Sequence, residues 1–225
     1  MNKKNIIKKF SKKKYVKKKR GGTRKEFMYQ NENLLLNNFK NRVFLLPSNK
    51  KMNTDLFKNI REDDLIIIMN RAYWNKHPKI KNHKHKILIL RGATDSFSDI
   101  SPTDNYIKVI FLETGCNKQL VKCKDNKYVT NWCKKKQEQY NNYKQIKEYI
   151  PIYNIADKLQ LPFIVNPKNN KTLSTGFIAY LYAKNILKFS KNNIILLGFN
   201  MDAGFYHDIL FEHQYYKDNK VTIMI

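Results

Sequence analysis

Cysteine is scarce in this chain: Cys116, Cys123 and Cys133 are the only three in 225 residues. An odd, sparse set argues against a disulfide framework and fits a reducing compartment. The three are not spaced as the two Cys pairs of a zinc site, and no His follows at a finger-like distance, so they read as core or surface thiols. No apolar run reaches the roughly 18 residues of a membrane span. The N-terminus has neither a continuous apolar h-region nor a small-residue cleavage site, which argues against a secretory signal. A cytoplasmic protein is therefore expected, touching a membrane only from its surface. Acid is scarce too, with 18 Asp and Glu against 44 Lys and Arg and a formal net charge of +26. No Asp-x-Asp occurs at a strand end with apolar flanks. Asp63 and Asp64 are adjacent and read as a turn before a strand. His77, His83 and His85 lie among lysines in a polar loop. No metal site and no cofactor is expected from any of these. No internal repeat is present.

What is there is unevenly placed. Residues 1–25 hold 13 Lys and Arg and no acid, so the remaining residues carry only +13. This stretch, 1–25, reads as a basic, solvated arm ending near Gly21-Gly22, and 26–225 as one folded domain. Two explanations of the charge stay open. One is attraction to nucleic acid or an anionic membrane surface. The other is an AT-rich coding sequence, which would enrich Lys, Asn and Ile together. Apolar residues make up 42%, enough for most of the chain to fold around a core.

Five apolar runs predict strands: 42–47, 64–69, 86–90, 106–112 and 193–197. Most are continuous rather than alternating, as in strands covered on both faces of an open, largely parallel sheet. Helices are expected between them. The polar, Lys- and Gln-rich segment 131–150 predicts one helix, stopped by Pro151. A second should start near Ser174 and run through Leu187, with Phe177, Tyr180, Leu181 and Ile186 on its core face. Strands alternating with helices imply an α/β fold with a single open sheet flanked by helices.

Three segments carry candidate chemistry. Ser174, Thr175 and Gly176 stand at a predicted helix start. There a hydroxyl caps a backbone N–H, glycine permits close approach, and the first-turn N–H groups favour an anion such as a phosphate. The bland alternative is an ordinary N-cap. His207 and Glu212 follow the loop after the last predicted strand, and ligands of open α/β sheets bind beyond the carboxyl ends of strands. An imidazole there can act as general base, its unperturbed pKa being about 6.5. Glu212 could orient or polarise it. The alternative is a surface His beside a surface Glu. Asn49 and Asn70 each follow a strand, and an amide offers both donors and acceptors to a base or ribose edge. Asn also ends strands for turn chemistry alone.

In order and spacing these segments resemble the motifs of the eukaryotic-type sialyltransferase family. That family's large motif opens with a strand and a Gly-Asn-Ser turn and closes with a strand running into Arg-Met-Asn-Arg-Ala. Here the turn reads Pro47-Ser48-Asn49 and the close reads Ile68-Met69-Asn70-Arg71-Ala72. The small motif, Pro-Ser-Thr-Gly before a helix, reads Leu173-Ser174-Thr175-Gly176, followed by an apolar helix and a strand into Gly198-Phe199. The final His-x4-Glu is His207 to Glu212. The resemblance covers about 41–215. The family's separate His motif, its cysteines joining the large and small motifs, and its membrane anchor are missing, so one phosphate contact is either absent or supplied by Tyr206 or His213.

The resemblance implies a shortened, cytosolic relative with a Rossmann-like, GT-A-variant domain. It implies an inverting, metal-independent glycosyltransferase that moves sialic acid, or a related acidic sugar, from a CMP-sugar donor to an acceptor glycan hydroxyl. His207 would be the base, assisted by Glu212. Asn49, Asn70, Ser174, Thr175 and Gly176 would hold the donor. Two other readings stand beside it. One is a non-catalytic nucleic-acid-binding protein that uses the basic arm, although no nucleic-acid motif is present and the aromatics fall in core-like runs. The other is a degenerate, inactive transferase.

Overall fold

A computed structural model describes residues 41–48, 51–70, 73–91, 105–112, 146–150, 159–161, 166–169, 171–199 and 207–225. The basic arm 1–25, Asn49, Tyr206, the three cysteines and the segment 131–145 lie outside the described residues.

Among the described residues seven strands form one sheet: β1 (Val43–Leu46), β2 (Leu65–Met69), β3 (Lys86–Arg91), β4 (Lys108–Leu112), β5 (Ile146–Ile150), β6 (Ile194–Leu197) and β7 (Thr222–Met224). Every pairing is parallel, and the order across the sheet is β5-β4-β3-β2-β1-β6-β7. The chain thus lays strands outward on one side of β1, then returns to the other side for β6 and β7. The order reverses between β1 and β6, and crevices at such reversals are where open α/β sheets take ligands. All five strands expected from the apolar runs are present.

Continuous apolar runs form the interior strands because both faces are covered. Val43, Leu45, Leu65, Ile67, Met69, Ile87 and Ile89 pack with α2 (Thr175–Leu181) and with Tyr216 of α3 (Ile209–Asp218). The alternate residues Phe44, Leu46, Ile66, Ile68, Leu88 and Leu90 pack on the opposite face with Met52, Phe57, Ile60, Trp74 and with Ile80 of α1 (Pro78–Lys81). Burying each such side chain contributes about 1.5–3 kcal/mol before conformational entropy is subtracted. The helix expected near Ser174 is there: Ser174 is its N-cap, and α2 continues as a π-helical turn, Tyr182–Ile186. Phe177, Tyr180 and Leu181 are buried in the core, with Ile186 packed against it. Among the described residues no helix is long and apolar enough to cross a membrane.

The expected helix over 131–150 needs correction at its end. Residues Ile146–Ile150 form β5, paired with β4 from Lys108↔Ile146 to Leu112↔Ile150. Among the described residues this strand stands at one end of the strand order, and an edge position tolerates polar residues in a strand better than an interior one does.

The amino ends of β1 and β2 are tied by charge. Asp64 is fully buried; Arg42 grips it through Nε at 3.1 Å and Nη2 at 2.7 Å, and the Arg61 N–H donates to it at 2.6 Å. Arg42 Nη2 also donates to the Asn59 carbonyl at 3.0 Å. His83 Nε2 lies 2.7 Å from the Asp64 carbonyl. Burial holds the His83 imidazole below its ordinary pKa, with help from His85 and Lys86 and against the Asp64 carbonyl and carboxylate. Asn41 donates to the neighbouring Asp63 carboxylate.

Candidate functional site

At the other edge, three sequence-distant segments meet. Beyond β1, the Pro47 carbonyl accepts from Trp74 Nε1 at 2.9 Å, and the Ser48 hydroxyl donates to the Met69 carbonyl at 2.8 Å. These bonds pin the β1 exit to the β2 exit. Asn70 closes β2 in the left-handed region, with φ 52°, and its N–H donates to the Ile89 carbonyl at 2.9 Å. Asn tolerates this region better than other side chains do. Lys188 and Lys220 also have positive φ, but they follow helix ends, where that conformation is routine. At Asn70 it turns the chain off a strand, and the amide Nδ2 donates to Thr175 Oγ1 at 3.3 Å across 105 positions.

Ser174 is the hinge of the arrangement. Its hydroxyl accepts from the Phe177 N–H at 3.1 Å, an N-cap bond, and donates to Glu212 Oε2 at 2.6 Å. The Ser174 N–H donates to Glu212 Oε1. Glu212 lies in the first turn of α3 and is only 3% exposed. A carboxylate buried this deeply needs hydrogen-bond donors, and Ser174 supplies two. Both carboxylate oxygens of Glu212 are thus engaged by Ser174.

His207 attaches one step earlier on the same segment. It bridges in parallel to Thr172, with Nδ1 at 3.3 Å from Thr172 Oγ1, and the Asp208 N–H donates to the Thr172 carbonyl at 2.9 Å. Asn166 donates to the buried Asp208 carboxylate. His207 and Glu212 therefore hold two ends of one short stretch, Thr172 to Ser174, that leads into α2.

The glycines serve packing here. A Cβ on Gly176 would lie 2.6 Å from Cε1 of Phe199, so the close approach that this glycine permits is made by the Phe199 ring. Gly198, at the end of β6, has φ +69°, and a Cβ there would lie 2.0 Å from Met52 Sδ.

The structure thus brings Asn70, Ser174, Thr175 and Glu212 into one bonded set, with Gly176 at its margin and His207 beside it on Thr172. Asn49 lies outside the described residues. Thr172, Asp208 and Phe199 escaped selection as site residues. Thr172 and Asp208 act largely through pairing that no local pattern announces; Phe199 could have been found from the Gly-Phe turn that follows β6. His77, His83 and His85 sit apart: His77 packs on the Phe57 ring at 4.7 Å, and His83 and His85 lie 6.0 Å apart, ring to ring, at the amino end of the sheet. No protein-family model, no curated protein and no solved structure matches this chain.

Proposed function

We propose that this chain is a sialyltransferase-like glycosyltransferase with a Rossmann-like, GT-A-variant domain. It transfers sialic acid or a related acidic sugar from a CMP-sugar to a hydroxyl of an acceptor glycan. One observation carries this reading. The three segments that resemble sialyltransferase motifs are joined, Asn70 to Thr175 across 105 positions and Ser174 to Glu212 across 38, at the carboxyl edge, beside the reversal in strand order.

The chemistry follows from these groups. The acceptor oxygen attacks the anomeric carbon, the bond to the CMP phosphate breaks, and the transition state is oxocarbenium-like. The acceptor proton passes to His207. If the Thr172 hydroxyl accepts from Nδ1–H, Nε2 is the basic nitrogen. The leaving group carries a single phosphate, which needs less charge compensation than a diphosphate, and backbone N–H groups at the start of α2 would stabilise it. Asn70 and Thr175 would meet the nucleotide.

The test is CMP release from CMP-sialic acid, with and without glycan acceptors. Acceptor-dependent release is expected, and its absence across acceptor classes would sink the reading. His207→Ala should lower turnover by about 10²- to 10⁴-fold with little change in donor affinity. His213→Ala is the control, because His213 lies exposed on α3 just beyond Glu212. Loss of turnover in His213→Ala but not in His207→Ala would reassign the base.

A further inference from the structure

Behind the Ser174–Glu212 bond lies a cluster of aromatic hydroxyls that the proposed reaction does not use. Tyr216 is 2% exposed and Tyr180 is fully buried, and neither hydroxyl has a hydrogen-bond partner among the described residues. Their rings lie 5.4 Å apart across the α2–α3 interface, and Tyr216 also packs on Phe177 at 5.6 Å. Tyr216 follows Glu212 by four positions on α3, one helical turn, which puts both side chains on the same face. Buried hydroxyls are nearly always satisfied, so one left without a partner a helical turn from a buried carboxylate asks for an explanation.

The arithmetic of protons at Ser174 supplies one. A serine hydroxyl has one proton, and in this structure it goes to Glu212 while a lone pair takes the Phe177 N–H. A phosphate arriving at the start of α2 competes for that proton. If Ser174 turns to the phosphate, Glu212 loses a donor in a buried place, at a cost comparable to other lost charged hydrogen bonds.

We propose that Tyr216 is a positioning residue that donates its hydroxyl to Glu212 when the Ser174 hydroxyl turns to a bound phosphate. The exchange conserves the donors to the carboxylate and satisfies a hydroxyl that had no partner. No bond is made or broken; one O–H replaces another. Burial pushes the Tyr216 hydroxyl well above its usual pKa, and the Glu212 charge pushes it further, so Tyr216 keeps its proton and serves as a donor. Tyr180, pushed up to about 12 by burial and then by Tyr215, lies on the other helix and is the comparison residue. The identity of the ligand rests on the transferase reading, whereas the exchange itself can be tested without any ligand.

Ser174→Gly removes the hydroxyl, and glycine is tolerated at an N-cap. It mimics a serine that has let go. Thermal unfolding of the full chain is measured for wild type, Tyr216→Phe, Ser174→Gly and the double variant. Tyr216→Phe alone should leave the Tm unchanged or slightly raised, since it deletes an unsatisfied hydroxyl. In the Ser174→Gly background the same change should lower the Tm by about 3 °C, and Tyr180→Phe should show no such coupling. Equal effects of Tyr216→Phe in both backgrounds would overturn the exchange. Should the double variant fail to fold, the ring NMR shift of labelled Tyr216 decides: it moves on Ser174→Gly if the exchange occurs, and an unmoved shift refutes it. A parallel CMP titration, with Tyr216→Phe expected to bind about tenfold more weakly, tests the reading of the ligand separately. A wild type that ignores CMP would remove the proposed donor while the unfolding cycle still decides the exchange.

Discussion

At the amino edge of the sheet, Asp64 is fully buried and held by the Arg42 guanidinium and the Arg61 N–H. At the carboxyl edge, Glu212 is buried almost as deeply, but two of its bonds come from a serine that also caps a helix. The first carboxylate meets a fixed cation in paired, bidentate geometry and stitches β1 to β2. The second depends on a hydroxyl that can rotate, next to buried hydroxyls with no partner among the described residues. The edges differ in backbone as well. Asn70 and Gly198 leave their strands in the left-handed region at the carboxyl edge. Closed charge pairs hold a fold, whereas exchangeable donors and turned strand ends suit a place where a ligand comes and goes.

The contrast breaks most visibly at Arg42. Arg42→Ala leaves the Asp64 carboxylate buried without its cation and should cost about 3–5 kcal/mol in denaturant unfolding. CMP affinity of whatever fraction stays folded should not change, because the pair lies at the far end of the strands. Gly198→Ala comes next. Its Cβ would collide with Met52 and the left-handed φ would be strained, so a loss of about 2–3 kcal/mol is expected. If that variant melts like wild type, the turn at the end of β6 is looser than described.

The smallest effect is at His83. Its pKa is lowered in the fold, mainly by burial, so the unfolded chain binds the proton more readily. The stability that neutral His83 contributes is fully present above the ordinary value of 6.5 and is lost as pH falls from there toward the lowered folded value. The slope cannot exceed about 1.4 kcal/mol per pH unit for one proton. Melts of wild type and His83→Gln between neutral and mildly acidic pH should converge as pH falls; parallel curves would show that His83 is not held neutral.

How much of this was legible in the sequence depended on burial. The interior strands announced themselves because both faces are covered, which forces unbroken runs such as Leu65–Met69 and Ile194–Leu197. The edge strands did not. Ile146–Ile150 carries Lys and Glu, and Thr222–Met224 is three residues long. Nothing local distinguishes the first from a polar helix before a proline. At the site, Asn70, Ser174, Thr175, His207 and Glu212 could be chosen from motif order and strand ends. Their partners could not, since the bond from Ser174 to Glu212 rests on how α3 seats against α2. The Tyr180–Tyr216 pairing was hidden for a related reason: tyrosines at helical spacing look like ordinary core until their hydroxyls are followed.

The central claim is that the carboxyl edge, where Asn70, Thr175, Ser174 and Glu212 join, takes the nucleotide of a CMP-sugar. Calorimetric titration of CMP into wild type, Asn70→Ala and Arg42→Ala tests it most directly, with an oligonucleotide titrated at the same salt for comparison. The account predicts CMP binding by wild type, a loss of about tenfold or more in Asn70→Ala, where the amide's hydrogen bonds are removed, and unchanged affinity in Arg42→Ala. Binding of the oligonucleotide with none of CMP, or equal CMP affinity in wild type and Asn70→Ala, would contradict it.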